Sequence, residues 1–195
     1  MKRLLIPSMA LSALLLACNS PESTNTSTDS VANTTTDTTT MVHDEMRNDS
    51  SDNSEDFISD AATGGVMEVK LGELAKTNAA SKAVKDFAAM MVRDHSKAND
   101  ELKEIAVKNN VTIPATLPDK NQKHIDDLSK KNGAEFDKDY ISLMVDDHED
   151  DIKMFERCAK KDDEKADVKA FAAKTLPTLY KHLDAAKKIK DTQNK

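Results

Sequence analysis

The sequence predicts an all-α fold with four long helices. Charged residues make up 32% of the chain, Gly occurs four times and Trp is absent, a composition that favours helix over sheet. Apolar residues recur in steps of four and three over long stretches, which is the spacing of a helix stripe that faces a core. The stretches Met91–His95 and Met144–His148 are near copies 53 residues apart, which indicates an internal repeat.

The chain begins with a segment that resembles a bacterial lipoprotein signal. Lys2 and Arg3 precede an apolar run over residues 4–16, and Leu-x-Ala-Cys ends at Cys18. A run this short indicates a signal peptide, residues 1–17, rather than a transmembrane helix. Cleavage before Cys18 leaves its thiol and amine to be acylated, which anchors the protein to a membrane. The alternative is an ordinary secretory signal with an incidental cysteine.

Residues 18–54 are rich in Thr, Ser, Asp and Asn and are predicted to be a disordered tether, because they cannot bury enough apolar surface to fold. We therefore expect an exported protein, lipid-anchored in the cell envelope, and Asn19 after the cysteine favours the outer membrane. His43 in the tether is interpreted as solvated. The net charge of -7 argues against a nucleic-acid partner, whose phosphates require a basic surface.

The folded domain is predicted over residues 55–191, and its first helix over residues 54–77. A stripe of small residues with one carboxylate in it follows a 4-3-4-3 spacing: Ala61, Gly65, Glu68, Gly72 and Ala75. Glycine weakens a helix, so its presence here indicates the close approach of a neighbour. Residues 78–81 form a turn in which Ser81 is a good N-cap for the next helix.

The second helix is predicted over residues 82–108, with a core stripe that includes a histidine: Val84, Ala88, Met91, His95, Ala98, Leu102 and Ile105. Asn109 and Asn110 end it. Pro114 and Pro118 then interrupt any helix, so residues 111–133 are interpreted as a long crossover. The crossover carries a short surface helix over residues 119–131, with His124 exposed on it.

The third and fourth long helices are predicted over residues 134–160 and 163–190. Each again places one histidine on an apolar stripe, His148 on the third and His182 on the fourth. Pro177 is expected to kink the fourth helix. Cys158, on the third, is interpreted as a buried and unreactive thiol.

A second pair of similar stretches extends the internal repeat, since Val84–Ala89 resembles Val168–Ala173. The repeating unit is therefore a helical hairpin, present twice and joined by the long crossover. This topology predicts a ferritin-like four-helix bundle.

The stripes place four polar side chains in mid-bundle: Glu68, His95, His148 and His182. Three imidazoles and a carboxylate are a sensible ligand set for zinc, iron or copper. The alternative is a hydrogen-bonded polar layer that holds no metal, and the sequence leaves both open. Asp94 and Asp147 directly precede two of the histidines and point about 100° away around the helix, so they are candidates for contacts behind the ligands.

Two other kinds of metal site, a copper site with methionine ligands and a di-iron centre, fit the sequence less well. Met91 and Met144 stand one turn from a histidine and could bind Cu(I), but methionine is also an ordinary core residue, which we prefer. A di-iron centre requires Glu-x-x-His, whereas Val92, Val145 and Leu179 stand three residues before the histidines. The sequence shows no nucleophile triad and no phosphate-binding glycine loop, so it indicates no enzyme class.

Six features of the sequence together carry a resemblance to a known family: Gly65–Val69, Met91–His95, Phe136–Tyr140, His148, Leu176–Pro177 and His182. In these residues the chain resembles the DUF4142 family of exported, ferritin-like bacterial proteins. The resemblance implies the fold and an envelope location, and it brings no substrate. Two functions fit: a metal-binding protein in metal handling or envelope stress, and a metal-free interaction module whose histidines only organise the core.

Overall fold

The protein is all-α, as predicted. The structure is a computed structural model that describes residues 49–193. Over that range it contains five α-helices and no strand: α1 (Asp49–Asn78), α2 (Lys82–Lys108), α3 (Asp119–Ser129), α4 (Gly133–Lys160) and α5 (Ala166–Gln193). The predicted signal segment, Cys18 and His43 lie outside the described residues, as does the predicted tether up to residue 48. Among the described helices, none is long and apolar enough to cross a membrane.

The helix bounds agree closely with the prediction where the stripe is continuous. Helix α2 spans the predicted residues, and α4 begins one residue early. Helix α1 begins five residues before the predicted start, so the last part of the predicted tether is helical. Helix α5 begins three residues late, because residues 161–165 form the turn. The short helix α3 occupies the predicted crossover, and His124 on it is half-buried rather than exposed.

The long helices pack as two sequential pairs. Helix α1 contacts α2 and α4, whereas α5 contacts α4 and α2, and α3 lies against α1 and α4. Two apolar clusters fill the interior. One includes Leu71, Met91, Tyr140, Met144 and Ala186. The other includes Ile58, Leu102, Ile152, Phe171 and Leu179. On α2, α4 and α5 the histidine falls between the two clusters in sequence, and on α1 Glu68 directly follows Met67, where the first cluster begins. The polar layer therefore lies at mid-height.

The predicted close approach at the glycines of α1 is present. A Cβ on Gly65 would lie 2.2 Å from Oδ1 of Asn99, and one on Gly72 would lie 2.7 Å from Cγ2 of Val92 and 3.1 Å from the backbone oxygen of Ala88. Real Cβ atoms do not approach other atoms this closely. The small-residue stripe therefore lets α2 pack directly against α1.

The start of α2 is capped from a distance. Ser81 is the N-cap residue, as predicted, but its hydroxyl makes no capping hydrogen bond. The carboxylate of Asp137 on α4 instead accepts hydrogen bonds from the backbone N–H groups of Ala80 at 3.0 Å and Ser81 at 2.8 Å. A buried carboxylate 56 residues away thus fixes where the first helix pair meets α4.

Candidate metal centre

Four helices each contribute one polar side chain to the middle of the core. Glu68 lies on α1, His95 on α2, His148 on α4 and His182 on α5, and each is less than 7% exposed. Each stands on its helix's apolar stripe, so the packing that buries the stripe also brings these groups together. The structure therefore joins the four residues that the sequence singled out.

The three histidines meet through one nitrogen each. Nε2 of His95 lies 3.3 Å from Nδ1 of His182, and Nε2 of His148 lies 3.3 Å from the same atom. One nitrogen from each ring lies within 4.8 Å of the other two. The rings meet edge to face or tilted, with centroids 5.1–5.6 Å apart. We refer to these three residues as the histidine cluster.

Two of the outer ring nitrogens have definite hydrogen-bond acceptors. Nδ1 of His148 donates to the backbone oxygen of Met144 at 2.9 Å, one turn earlier on α4. Nε2 of His182 donates to Oδ2 of Asp94 at 3.1 Å. Hydrogen bonds from Arg93 and then from His182 lower the pKa of Asp94 to about 2, so this carboxylate is ionised and can only accept. The hydrogens of both neutral imidazoles therefore point outward.

The inner nitrogens of His148 and His182 consequently carry lone pairs. A neutral imidazole has a single N–H, and in both rings it is on the outer side. Two lone pairs thus face one another at 3.3 Å. A hydrogen on Nε2 of His95 could satisfy only one of them. The arrangement is repulsive unless a positive charge lies between the rings.

Burial keeps the histidines in the form that binds metal. It lowers the pKa of His95 to about 4 and that of His182 to about 4. Burial, followed by repulsion from His95 and His182, lowers the pKa of His148 well below its ordinary value. Metal coordination requires the neutral ring with a free lone pair, so the cluster is in the binding form at neutral pH.

Glu68 lies behind the rings and not at the point where they meet. Its Oε2 is 2.7 Å from Nδ1 of His95, and its Oε1 is 3.4 Å from Nδ1 of His148. These oxygens do not lie along the ring N–H directions, so among the described residues neither has an aligned donor. Burial, and then the charge of Asp147, raise the pKa of Glu68 well above its usual range. The predicted fourth ligand is thus on the outer side of two histidines.

The two aspartates that precede the histidines differ in position. Asp94 accepts a hydrogen bond from Nε2 of His182. Asp147 is half-buried and makes no hydrogen bond or ion pair with a described residue. Burial raises its pKa to about 6. The near-identical stretches that contain these residues therefore do not play equivalent structural parts.

Sequence reasoning missed Asp151, which lines a small interior cavity with Glu68, His95 and Asn99. The cavity has a volume of about 20 Å³, enough for one water molecule. Burial, followed by the charge of Glu68, raises the pKa of Asp151 well above its ordinary value. The sequence does contain a signal for Asp151, because it stands one turn after Asp147 on α4. This spacing places two carboxyl groups on the same face of the helix.

The other residues singled out in the sequence lie in the apolar core or within a helix. Met91 and Met144 are fully buried in the apolar cluster, in agreement with the preferred interpretation as core residues. Cys158 is free and buried, and burial raises its pKa to about 12. Pro177 lies within the continuous helix α5.

A surface cleft reaches the histidine cluster from one side. It lies between α2 and α5, has a volume of about 280 Å³, and includes His95 and His182 in its lining. Three residues of its floor, Ala98, Thr175 and Leu179, also line the small interior cavity. A small solute can therefore come close to the cluster without opening the core.

Comparisons with known proteins agree with the helical architecture. The family model described as "Domain of unknown function (DUF4142)" matches residues 38–189. A crystal structure of a DUF305 fragment from Deinococcus radiodurans is similar with a TM-score of 0.63 and 9% sequence identity, covering 72% of this chain and 96% of that one. At this identity the similarity shows the fold alone. A search of curated proteins finds none that matches the chain.

Proposed function

The chain belongs to the DUF4142 family, a domain of unknown function, and we propose that it binds one transition-metal ion through His95, His148 and His182. The family match spans the whole site, so the proposal concerns the domain itself and not an appended segment. The long helices form a ferritin-like four-helix bundle of two hairpins around this site, joined by the crossover that contains α3.

The observation that carries the proposal is the spacing of the inner nitrogens. A tetrahedral zinc ion with Zn–N bonds of about 2.0–2.1 Å places its ligand nitrogens about 3.3–3.4 Å apart. The two distances to Nδ1 of His182 are both 3.3 Å. This is long for an N–H···N hydrogen bond and equal to the spacing of two ligands on one ion. A divalent ion also supplies the positive charge that the facing lone pairs require.

The groups behind the rings support the same interpretation. A metal-binding histidine usually donates its other N–H to a carboxylate or a backbone oxygen, which fixes the ring and its tautomer. Asp94 and the carbonyl of Met144 do this for His182 and His148. The Glu68 carboxylate stands beside the outer nitrogen of His95. Burial raises the pKa of Glu68, and a nearby cation would favour the ionised carboxylate, whose charge would then offset that of the cation.

The ligand set favours zinc or copper and also accommodates iron. Imidazole binds all three, and three histidines leave a fourth position open in a tetrahedral site. An ion held in this way can act as a Lewis acid, and it can equally be stored or passed on. The Glu-x-x-His pairs of di-iron bundles are absent from the sequence, so oxygen activation at a two-iron centre is not supported.

The N-terminal sequence supports a location for this activity. The basic start, the short apolar run and Cys18 favour export and lipid anchoring in the bacterial cell envelope, with the outer membrane as the favoured site. A metal-binding domain on a tether there would serve metal handling or envelope stress. Cys18 is the proposed lipidation site.

Elemental analysis tests the proposal directly. The purified chain, without an affinity tag, is dialysed and then loaded separately with zinc, copper and iron. We expect close to one equivalent of one of these metals to remain bound to the wild type. His95→Ala and His148→Ala should each lose it, whereas His124→Ala should retain it, because that histidine lies on α3. A wild type that retains none of the three metals would favour the metal-free interaction module instead.

A further inference from the structure

The cleft between α2 and α5 has a charge opposite to that of the whole chain. Its lining contains four cations, Arg93, Lys97, Lys174 and Lys181, and two carboxylates, Asp94 and Glu101, a net charge of +2. The complete chain has a net charge of -7. Basic residues are thus concentrated at a cleft whose lining includes two residues of the histidine cluster, His95 and His182.

Two of these cations are free to act on a ligand. Nε of Arg93 contacts Oδ1 of Asp94 at 2.8 Å, and Nζ of Lys174 contacts Glu101 at 2.8 Å, so both are compensated. Lys97 and Lys181 are exposed and make no ion pair with a described residue. Lys97 lies on α2 and Lys181 lies on α5. The two helices that form the walls of the cleft therefore each contribute one positive charge that no described carboxylate compensates.

Carboxyl groups lie near the histidine cluster on α1 and α4. Glu68 is close to Nδ1 of His95 and of His148, Asp151 lines the small interior cavity with His95, and Asp147 is near enough for its charge to act on His95. These three groups carry no positive charge, so they do not attract an anion. The α2–α5 side, which carries Lys97 and Lys181, is therefore the side that favours the approach of an anion.

The residues at the floor of the cleft leave room for a small ligand next to the histidines. Its residues next to the histidines are small or compact: Ala98, Thr175, Thr178 and Leu179. Ala98 is the counterpart of Asp151 in the repeat that relates Met91–His95 to Met144–His148. The same repeat position thus carries a small alanine in the cleft on α2 and a carboxyl group on α4. The two halves of the repeat therefore give the site two chemically different sides.

We propose that the cleft between α2 and α5 binds a small inorganic anion, which reaches the histidine-bound metal ion and occupies its open coordination position. This inference rests on the proposed metal site, which leaves one position of a tetrahedral ion unfilled. The positive field of Lys97 and Lys181 raises the local concentration of anions, and the metal charge adds to it.

Cobalt(II) provides a test with a spectroscopic readout. The purified chain is loaded with cobalt(II), whose visible absorption reports coordination, and is titrated with sodium azide at about 0.01 M ionic strength, where charges act over about 30 Å. We expect azide to change the cobalt spectrum in a saturable manner. Lys97→Gln/Lys181→Gln should weaken the apparent azide affinity by about three- to tenfold, the range that two nearby charges produce at water-like screening.

Two controls separate the charge effect from other changes. Lys70→Gln/Lys85→Gln removes the same total charge from exposed lysines outside the cleft and should leave azide affinity unchanged. Imidazole, a neutral ligand, should bind equally to the wild type and to both double variants. Equal azide affinity in all three proteins would overturn the role of the cleft.

The failure of this inference differs from that of the proposed function. A cobalt spectrum that azide leaves unchanged shows a bound metal with no accessible position, which overturns the inference and leaves the metal site intact. A chain that acquires no cobalt spectrum overturns the metal site, and the anion site falls with it.

Discussion

Asp94 on α2 accepts a hydrogen bond from Nε2 of His182 on α5, at 3.1 Å, although the two residues stand 88 positions apart in the chain. The hydrogen bond fixes the ring so that Nδ1 points toward His95 and His148. It joins the two helices that border the cleft. The carboxylate thus acts on the site through the orientation of one imidazole.

Replacing Asp94 by Ala should weaken metal binding by about 10- to 100-fold, the usual cost of removing a contact behind a ligating histidine. A competitive zinc titration with a coloured chelator measures this. Asp147→Ala is the matched control, because Asp147 occupies the same place in the repeated stretch but makes no hydrogen bond with a described residue. Its effect should stay within about threefold, since only a more distant charge is removed. Equal losses in both variants would contradict the positioning role of Asp94.

The helices were predictable from the sequence because their signals are local. The stripe of α2 alternates steps of four and three from Val84 to Ile105, and the observed helix spans the predicted residues. The one-residue shift of α4 and the three-residue shift of α5 occur at the turns, where no stripe constrains the bounds. The all-α fold and the DUF4142 family are confirmed.

The contacts of the site were less predictable because they depend on distant parts of the chain. Glu68 and His95 lie on different helices, yet Oε2 of Glu68 lies 2.7 Å from Nδ1 of His95. Close packing at Gly72 and the capping of α2 by Asp137 help to set this register. The side of the ring on which a carboxylate lies has no sequence signature. The ligand roles of Glu68 and the histidines stay predictions.

Glycine substitutions on α1 should separate packing from helix propensity. Gly72→Ala should destabilise the protein by about 1–3 kcal/mol, because its Cβ would meet Val92 and the backbone of Ala88. Gly64 has nothing within 4 Å of the corresponding position. Gly64→Ala should therefore stabilise the protein by about 0.5–1 kcal/mol, the usual helix advantage of alanine. Urea unfolding measures both, and a stabilising Gly72→Ala would show that the close α1–α2 contact is absent.

Cys158 should resist alkylation in the native protein. Burial raises its pKa from 9.0 to about 12, so the folded state keeps the thiol proton at a pH where the unfolded chain has begun to lose it. The native state binds more protons between these two values, so this group's contribution to stability is lost as the pH rises from 9.0 toward 12. At pH about 8.5 the native thiol should react with iodoacetamide at least about 100-fold more slowly than in urea. Peptide mass spectrometry separates Cys158 from Cys18, and equal native and denatured rates would refute the burial.

Lipid anchoring depends on Cys18. Cys18→Ser should give a soluble or unprocessed protein without an acyl label, because serine supplies no thiol for acylation. Metabolic labelling with a fatty-acid analogue and fractionation of the membranes measure this in the host. Cys158→Ser is the control and should still be labelled. Finding the mature N-terminus of the wild type anywhere other than Cys18 would refute the lipoprotein prediction.

Chelation should reveal the metal through stability. A metal that binds only the native state stabilises it by about 2.7 kcal/mol at 100 times its dissociation constant. For a chain of this size that corresponds to roughly 5–10 °C in Tm. Excess EDTA should therefore lower the Tm of the loaded wild type by this amount, as measured by circular dichroism.

The same measurement on variants separates a metal site from a structural polar layer. His95→Ala and His148→Ala should each abolish the EDTA effect, because each removes one of the three nitrogens that meet at the cluster. His124→Ala should preserve it, since His124 is half-buried on α3 and outside the cluster. If the layer were only structural, EDTA would leave every Tm unchanged. His95→Ala would still lose about 1–3 kcal/mol, because Nδ1 of His182, 3.3 Å from Nε2 of His95, would be left buried without a donor from that ring.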